Sequence, residues 1–213
     1  MYSNRDFNRW RRHPWHGLRI RPEDAAEDIV NVFVEMTPTD TVKYELDKFS
    51  GFMMVDRPQR TTSSPPALYG FIPRTYCDTE VAKRCPDVDV ADNDPLDICV
   101  YSERAITRGD ILLSARVVGG IQMIDGGEAD DKIIAVLEGD NIWGDVQDIG
   151  DLPPIKIERL QHYFLTYKME PGKELDIKVD FVYDRAEALK VIEAAEKDYW
   201  ANFEQWHLDS QPS

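Results

Sequence analysis

The stretch VKYELDKFSGFMMVDR, residues 42–57, gives the first indication of the fold. Apolar residues alternate with polar ones from Val42 to Leu46, so Lys43 and Glu45 share the opposite face. A Ser-Gly turn signal follows, and residues 50–57 are typical of a second strand. The pattern predicts a β-hairpin over 42–57 that carries charged side chains on one face.

Further short strands are predicted on both sides of this hairpin. IVNVFVEM (29–36) is a β-branched run, and later strands are predicted near 98–101, 111–118, 132–138 and 179–183. The segment 61–73 is too rich in proline and glycine for a regular element. Short strands separated by turn signals predict an antiparallel barrel.

Two helices complete the predicted fold. One spans about 153–168, with Pro153 and Pro154 at its start, and the other begins at Asp184, where DRAE is an acidic form of a capping box. The fold class is therefore mainly β with flanking helices, an α+β fold. We expect a single domain over 1–213, with an N-terminal arm (1–27), a surface insertion (78–91) and a C-terminal helix (184–208).

Composition argues against several classes of protein. The 213 residues carry a net charge of −15, whereas nucleic-acid binding requires a basic face. No run approaches 18 apolar residues, so no membrane span is expected. The basic N-terminal residues have no apolar segment behind them, so no secretory signal is expected. Three cysteines without a CxxC pair do not form a disulfide framework, which fits a reducing cytoplasm.

Two acidic loops are the candidate functional feature. ADNDPLDICVY (91–101) places Asp92, Asp94 and Asp97 within six positions before a strand, and DGGEADDK (125–132) follows later. An acidic loop alone is most often a solvated turn. Clustered carboxylates also suit Mg²⁺, which shares its coordination with phosphate oxygens. In the second loop, period-two geometry predicts that Asp130 and Lys132 point the same way and Asp131 points away.

The sequence resembles the soluble family I inorganic pyrophosphatases over roughly residues 28 to 183. DNDPLDI resembles the family signature, and the other similar motifs occur in the family's order: VFVEM, VKYELDKFSG, VDR, YGFIP, DGGEADDKIIAV, DVQDIGDLPP and HYFLTYK. The resemblance implies an OB-like five-stranded antiparallel barrel with two main helices and a site in its mouth. It also implies a homo-oligomer, a hexamer in the short bacterial form and a dimer in the long form.

The resemblance implies Mg²⁺-dependent hydrolysis of inorganic pyrophosphate to two phosphates by a metal-activated water. Several Mg²⁺ ions per subunit are expected, with other divalent ions possible. Asp94 would take up the water's proton. The implied metal residues are Asp92, Asp97, Asp125, Asp130, Glu35 and Glu45. The implied catalytic and substrate-binding residues are Lys43, Arg57, Tyr69, Lys132, Tyr167 and Lys168.

Some residues allow other interpretations. Pro65 and Pro66 stand where many family members carry a phosphate-binding tyrosine, and Gly126 replaces a second acid. Arg57 could simply pair with Asp56. Two alternative classes are a catalytically dead metal-binding scaffold, which would have lost a core residue, and an OB-fold nucleic-acid module, which would need a basic groove.

Overall fold

The computed structural model describes residues 12–170, 172 and 175–208. The first 11 residues of the predicted arm lie outside this range. Within the described residues there are nine strands, a 3₁₀ helix at Ile149–Asp151 and three α-helices. The strands are β1 Ile29–Met36, β2 Val42–Leu46, β3 Met53–Pro58, β4 Leu68–Phe71, β5 Asp97–Tyr101, β6 Ile111–Asp125, β7 Glu128–Ala129, β8 Lys132–Leu137 and β9 Ile177–Asp184. The helices are α1 Thr79–Ala82, α2 Pro154–Thr166 and α3 Arg185–Leu208.

Five of the described strands close into a barrel. Their order is β1-β4-β5-β8-β6, and β6 also pairs with β1. The OB-like five-stranded fold is therefore confirmed, but one detail of the prediction is wrong because β5 and β8 are parallel. The chain between them contains β6 and β7, and this long connection lets β8 return in the direction of β5.

The predicted hairpin is present as β2 and β3, which form a separate two-stranded sheet among the described strands. Segment 61–73, in contrast, was predicted to be irregular but contains β4. The glycine at position 70 of this strand has a structural reason. A Cβ atom at Gly70 would lie 1.9 Å from the carbonyl oxygen of Phe33 on β1. The glycine therefore marks a close approach of two backbones.

Strand β6 is longer than the predicted 111–118 and continues through Gly119 and Gly120. These glycines allow β9 to pack closely, because a Cβ atom at Gly120 would lie 2.3 Å from the ring of Tyr183. Strand β6 thereby pairs with β1, β7, β8 and β9 and links the barrel to the C-terminal part of the chain.

The two predicted helices pack into different hydrophobic clusters. Leu160, Tyr163 and Phe164 of α2 are buried with residues of β6 and β8. Helix α3 begins as predicted, with the carboxylate of Asp184 accepting a hydrogen bond of 2.9 Å from the backbone N–H of Glu187. None of the described helices has both the length and the apolar character needed to cross a membrane.

Segment 78–91, predicted to be a surface insertion, is partly buried. It contains α1, and its apolar residues Val81, Ala82 and Cys85 are buried in the cluster that α3 covers. The three cysteines are buried and free, as predicted. Part of the N-terminal arm is also built into the fold, because the buried indole of Trp15 donates a hydrogen bond of 2.8 Å to the carbonyl of Thr75.

Candidate active site

A polar cavity of about 540 Å³ opens where β4, β5 and β8 meet the hairpin and the end of α2. Parallel pairing of β5 and β8 puts Asp97 beside Lys132 in register, so both strands begin at this cavity. Twelve of the thirteen predicted site residues line it: Glu35, Lys43, Glu45, Tyr69, Asp92, Asp94, Asp97, Asp125, Asp130, Lys132, Tyr167 and Lys168.

The acidic loop is fixed by backbone hydrogen bonds. The N–H of Cys77 donates to the carbonyl of Asp94 at 2.8 Å, and the N–H of Asn93 donates to the carbonyl of Cys77 at 3.0 Å. Asn93 adopts a positive φ of 60°, a conformation that asparagine tolerates better than most residues. The N–H of Asp94 donates to the carboxylate of Asp92 at 3.1 Å. These bonds fix the turn that carries Asp92 and Asp94, and Asp97 follows as the first residue of β5.

The two acidic loops lie side by side. The N–H of Asp92 donates to the carbonyl of Ala129 at 3.3 Å, and the N–H of Asp130 donates to the carbonyl of Met123 at 2.9 Å. The predicted directions in the second loop are correct. Lys132 contacts the carboxylate of Asp130, whereas that of Asp131 turns away and accepts a hydrogen bond of 3.0 Å from Tyr183.

Lys132 is the cationic centre of this cluster. Its side chain is 2% exposed, its ammonium lies 2.5 Å from the carboxylate of Asp97, and it also contacts Asp130. Burial opposes the charge on Lys132, but Asp130 and Asp97 outweigh it and raise its pKa well above the ordinary value. Tyr69 donates a hydrogen bond of 2.5 Å to the same carboxylate of Asp97.

Burial changes the acidity of the carboxyl groups around Lys132. Burial is the main cause that raises the pKa of Glu35 to about 8, and it also raises the pKa of Asp92 and of Asp97. Burial acts in the same direction on Asp130, but Lys132 outweighs it and lowers the pKa of Asp130 below the usual range. Without more positive charge, Glu35 and Asp92 therefore hold protons near neutral pH.

The hairpin supplies a second group of charges. Lys43 contacts Glu45, and its ammonium lies 3.4 Å from the carboxylate of Asp56. Arg57 also pairs with Asp56 and is the one predicted site residue outside the lining of the cavity. Arg57 therefore forms the ion pair with Asp56 that was its alternative interpretation from sequence.

The residues that follow helix α2 form another wall of the cavity. Tyr167 follows the last residue of α2, and its ring stacks on that of Tyr163 at 5.2 Å between centroids. Lys168 contacts the carboxylate of Asp125, and its ammonium lies 5.4 Å from the centroid of the Tyr167 ring. These contacts join α2 to the end of β6.

Two charged residues of the lining are absent from the residues predicted from sequence. Lys48 contacts Asp94 from the hairpin turn, and Glu128 lies in β7. A turn has no side-chain periodicity, so nothing in the sequence pattern directed Lys48 into the cavity. Glu128 could have been found, because it lies within the acidic motif between Asp125 and Asp130.

The donor set is suited to hard divalent cations, because it consists of carboxylate oxygens at the mouth of a barrel. Among the described residues, however, no three carboxylates converge on a common metal position. Lysine ammonium groups pair with them instead: Lys132 lies between Asp97 and Asp130, Lys48 contacts Asp94, and Lys168 contacts Asp125. The residues therefore fit divalent cations once some of these ion pairs rearrange.

Comparisons with known proteins agree with this geometry. Residues 32–200 match the family model described as inorganic pyrophosphatase. The chain is 48% identical to the inorganic pyrophosphatase of Chlamydia caviae over 201 residues, which is 90% of this chain and 92% of that protein. It is 41% identical to soluble inorganic pyrophosphatase 1 of Arabidopsis thaliana, over 80% of this chain and 72% of that protein.

A solved structure shows a similar fold. The crystal structure of the inorganic pyrophosphatase from Thermus thermophilus superposes with a TM-score of 0.74 at 31% identity. The match covers 88% of this chain and 98% of that one. The structural similarity therefore extends over most of the chain.

Proposed function

The chain belongs to the inorganic pyrophosphatase family, and we propose that it hydrolyses pyrophosphate to two phosphates with Mg²⁺ as its metal cofactor. It is an inorganic diphosphatase, a hydrolase that acts on a phosphoanhydride. The metal ion and the roles of the individual residues are inferred from the chemistry of the cavity.

The observation that carries the proposal is the charge of the cavity. Among the residues that the structure describes, eight carboxyl groups and four lysines line it. A pyrophosphate anion would be repelled by such a surface on its own. Divalent cations bound between carboxylates and substrate remove this repulsion, which explains why an anion site can be acidic.

The carboxylates are proposed to hold Mg²⁺. We assign this role to Asp92, Asp97 and Asp130, with Asp125, Glu35 and Glu45 for further ions and their waters. When bound, Mg²⁺ ions screen the substrate's charge and make water a stronger nucleophile. Their positive charge also favours ionisation of the buried carboxyl groups whose pKa is raised.

The basic and hydroxyl groups are proposed to bind the substrate. Lys43, Lys132 and Lys168 reach the cavity from three sides, so they can hold both phosphates and neutralise charge on the leaving group. Tyr69 and Tyr167 provide hydroxyl groups. Arg57 would have to leave Asp56 in order to contribute.

Asp94 is proposed to take up the proton of the attacking water. Its carboxylate is less buried than those of Asp97 and Asp130, and its only protein cation among the described contacts is Lys48. It is therefore accessible to water while its backbone is fixed by Cys77. A fixed carboxylate beside the substrate can act as a general base.

The test is release of phosphate from pyrophosphate by the purified protein, with Mg²⁺ and with a chelator in its place. We expect turnover only with Mg²⁺. Asp97→Ala should abolish it, and the matched control Asp87→Ala, which removes an exposed carboxylate paired with Lys178, should not. Turnover that persists in the chelator would overturn the assignment of the cofactor.

Homo-oligomer formation stays a prediction. Light scattering of the purified protein gives the molar mass in solution, which is to be compared with 24.5 kDa for a single chain.

A further inference from the structure

Four lysines line the described part of the cavity, and they differ in how firmly they are held. The side chain of Lys132 is 2% exposed between two carboxylates, and that of Lys43 is 16% exposed. Lys168 is 36% exposed and Lys48 is 49% exposed. Lys48 is therefore the most accessible of the four, and it contacts the carboxylate of Asp94.

The backbone beneath Lys48 is fixed. The carbonyl of Asp47 accepts a hydrogen bond of 2.8 Å from the N–H of Gly51, and the N–H of Asp47 donates to the carbonyl of Phe52 at 2.8 Å. The carboxylate of Asp47 also accepts a hydrogen bond of 3.0 Å from the N–H of Ser50. The turn thus holds the Cα atom of Lys48 at the rim, while the exposed side chain can change its partner.

We propose that Lys48 is a substrate-binding residue that pairs with Asp94 before Mg²⁺ and pyrophosphate bind and then transfers its ammonium to a substrate phosphate. This inference rests on the proposed function. The exchange keeps the number of charge pairs at the rim constant. It also releases the carboxylate of Asp94 at the step in which that carboxylate has to accept a proton.

The proposal requires that Lys48 affect the two ligands in opposite directions. Its ammonium repels Mg²⁺ near Asp92 and Asp97, and it attracts pyrophosphate. Replacing it with the uncharged Met should therefore tighten Mg²⁺ and weaken pyrophosphate. For a half-exposed charge a few ångströms away, each effect should be about three- to tenfold.

The experiment is calorimetric titration of Lys48→Met with Mg²⁺ alone, and then with imidodiphosphate, a pyrophosphate analogue with an N–H bridge, at saturating Mg²⁺. We expect a lower Kd for Mg²⁺ and a higher Kd for the analogue than in the wild-type protein. Lys48→Arg, which keeps the charge, should restore both. The matched control is Lys83→Met, which removes an exposed lysine that pairs with Glu80 outside the cavity.

Each other outcome overturns the proposal. Weaker binding of both ligands would mean that Lys48 only supports the hairpin, and unchanged binding of both would mean that it is a surface lysine. The readout does not require turnover. A wild-type protein that releases no phosphate would refute the proposed function, whereas the titrations would still measure what Lys48 does.

Discussion

Two aspartates three positions apart illustrate how neighbouring positions can place the same side chain in different surroundings. Asp97 accepts hydrogen bonds from Tyr69 and Lys132 in the interior of the site. Asp94 lies nearer the rim and contacts Lys48. The first environment suits a carboxylate that holds cations together, because its oxygens are fixed. The second suits a carboxylate that exchanges a proton with water.

This difference predicts different effects of the same substitution. Asp97→Asn removes a charge from the proposed metal ligands, so the Mg²⁺ concentration for half-maximal activity should rise by at least about tenfold. Asp94→Asn keeps the shape but cannot take a proton, so the rate should fall by about 10²–10⁴ with little change in Mg²⁺ affinity. A Mg²⁺ titration of activity and of binding distinguishes the two variants.

The opposite pattern would contradict the assignment. If Asp94→Asn binds Mg²⁺ poorly and recovers full turnover at saturating metal, Asp94 is a metal ligand and not the proton acceptor. Asn93→Ala is unsuitable as a control, because Asn93 adopts a positive φ. Asp89→Asn is suitable, since residue 89 is exposed and lies outside the cavity.

At the scale of the elements, the site depends on how closely β1 and β4 approach each other. Tyr69 lies on β4 beside Gly70, and Glu35 lies on β1 two residues after Phe33. Both Tyr69 and Glu35 line the cavity. The spacing of these two strands therefore sets the distance across one wall of the site.

Gly70→Ala should damage this wall. The added Cβ atom would lie 1.9 Å from the carbonyl oxygen of Phe33, and the backbone of a barrel strand cannot move away freely. We expect the free energy of unfolding to fall by about 3 kcal/mol, the upper end of overpacking effects. Thermal unfolding would show a Tm lower by roughly 6–12 °C for a domain of this size.

Gly150→Ala is the matched control, because a Cβ atom there would meet only the carboxylate oxygen of Asp148, at 3.9 Å. Its Tm should stay within about 2 °C of the wild-type value. A Gly70→Ala protein as stable as this control would mean that β1 and β4 can separate without loss, and that the close approach does not define the wall.

The same elements show how far the sequence predicts the fold. The hairpin was predicted because its alternating pattern is local, and Lys43 and Glu45 do share a face. Strand β4 was missed because Gly70, which is needed for contact with β1, is locally a strand breaker. The parallel pairing of β5 with β8 was also missed, since it depends on a long connection and leaves no local signal.

The site was predicted more completely than the fold. The resemblance to a family, and not the periodicity, provided the twelve residues that the cavity brings together. Arg57 and Lys48 show the limit of motif matching. It gives the position of a residue but not its partner, so it could not decide whether Arg57 binds substrate or pairs with Asp56, and it did not indicate that Lys48 would reach Asp94.

At the scale of the whole molecule, the C-terminal helix is connected to the site through the segment that precedes the acidic loop. Asp198 of α3 is 3% exposed. Its carboxylate accepts hydrogen bonds from the backbone N–H groups of Asp78, Glu80 and Val81 at 2.9–3.0 Å. A carboxylate from a distant helix thus satisfies the first N–H groups of α1, which otherwise lack partners.

One of the N–H groups that this carboxylate binds, that of Asp78, lies one residue away from the backbone that supports the acidic loop. Asp78 follows Cys77, whose N–H and carbonyl bond the backbone of Asp94 and Asn93. A change at Asp198 is therefore expected to loosen the acidic loop as well as the helix. The effect should reach the site although Asp198 lies outside the cavity lining.

Asp198→Ala is expected to lower the free energy of unfolding by about 3 kcal/mol, because it removes the acceptor of three backbone N–H groups, one of them in a buried hydrogen bond. The Tm should fall by roughly 6–12 °C, and the Mg²⁺ concentration for half-maximal activity should rise. The control is Glu193→Ala on the exposed face of the same helix, which removes a surface pair with Lys197 and should shift the Tm by no more than about 1 °C.

A loss of stability in Asp198→Ala with an unchanged Mg²⁺ requirement would show that the acidic loop keeps its shape without α1. The coupling of helix and site would then be wrong, while the capping of α1 by Asp198 would stand.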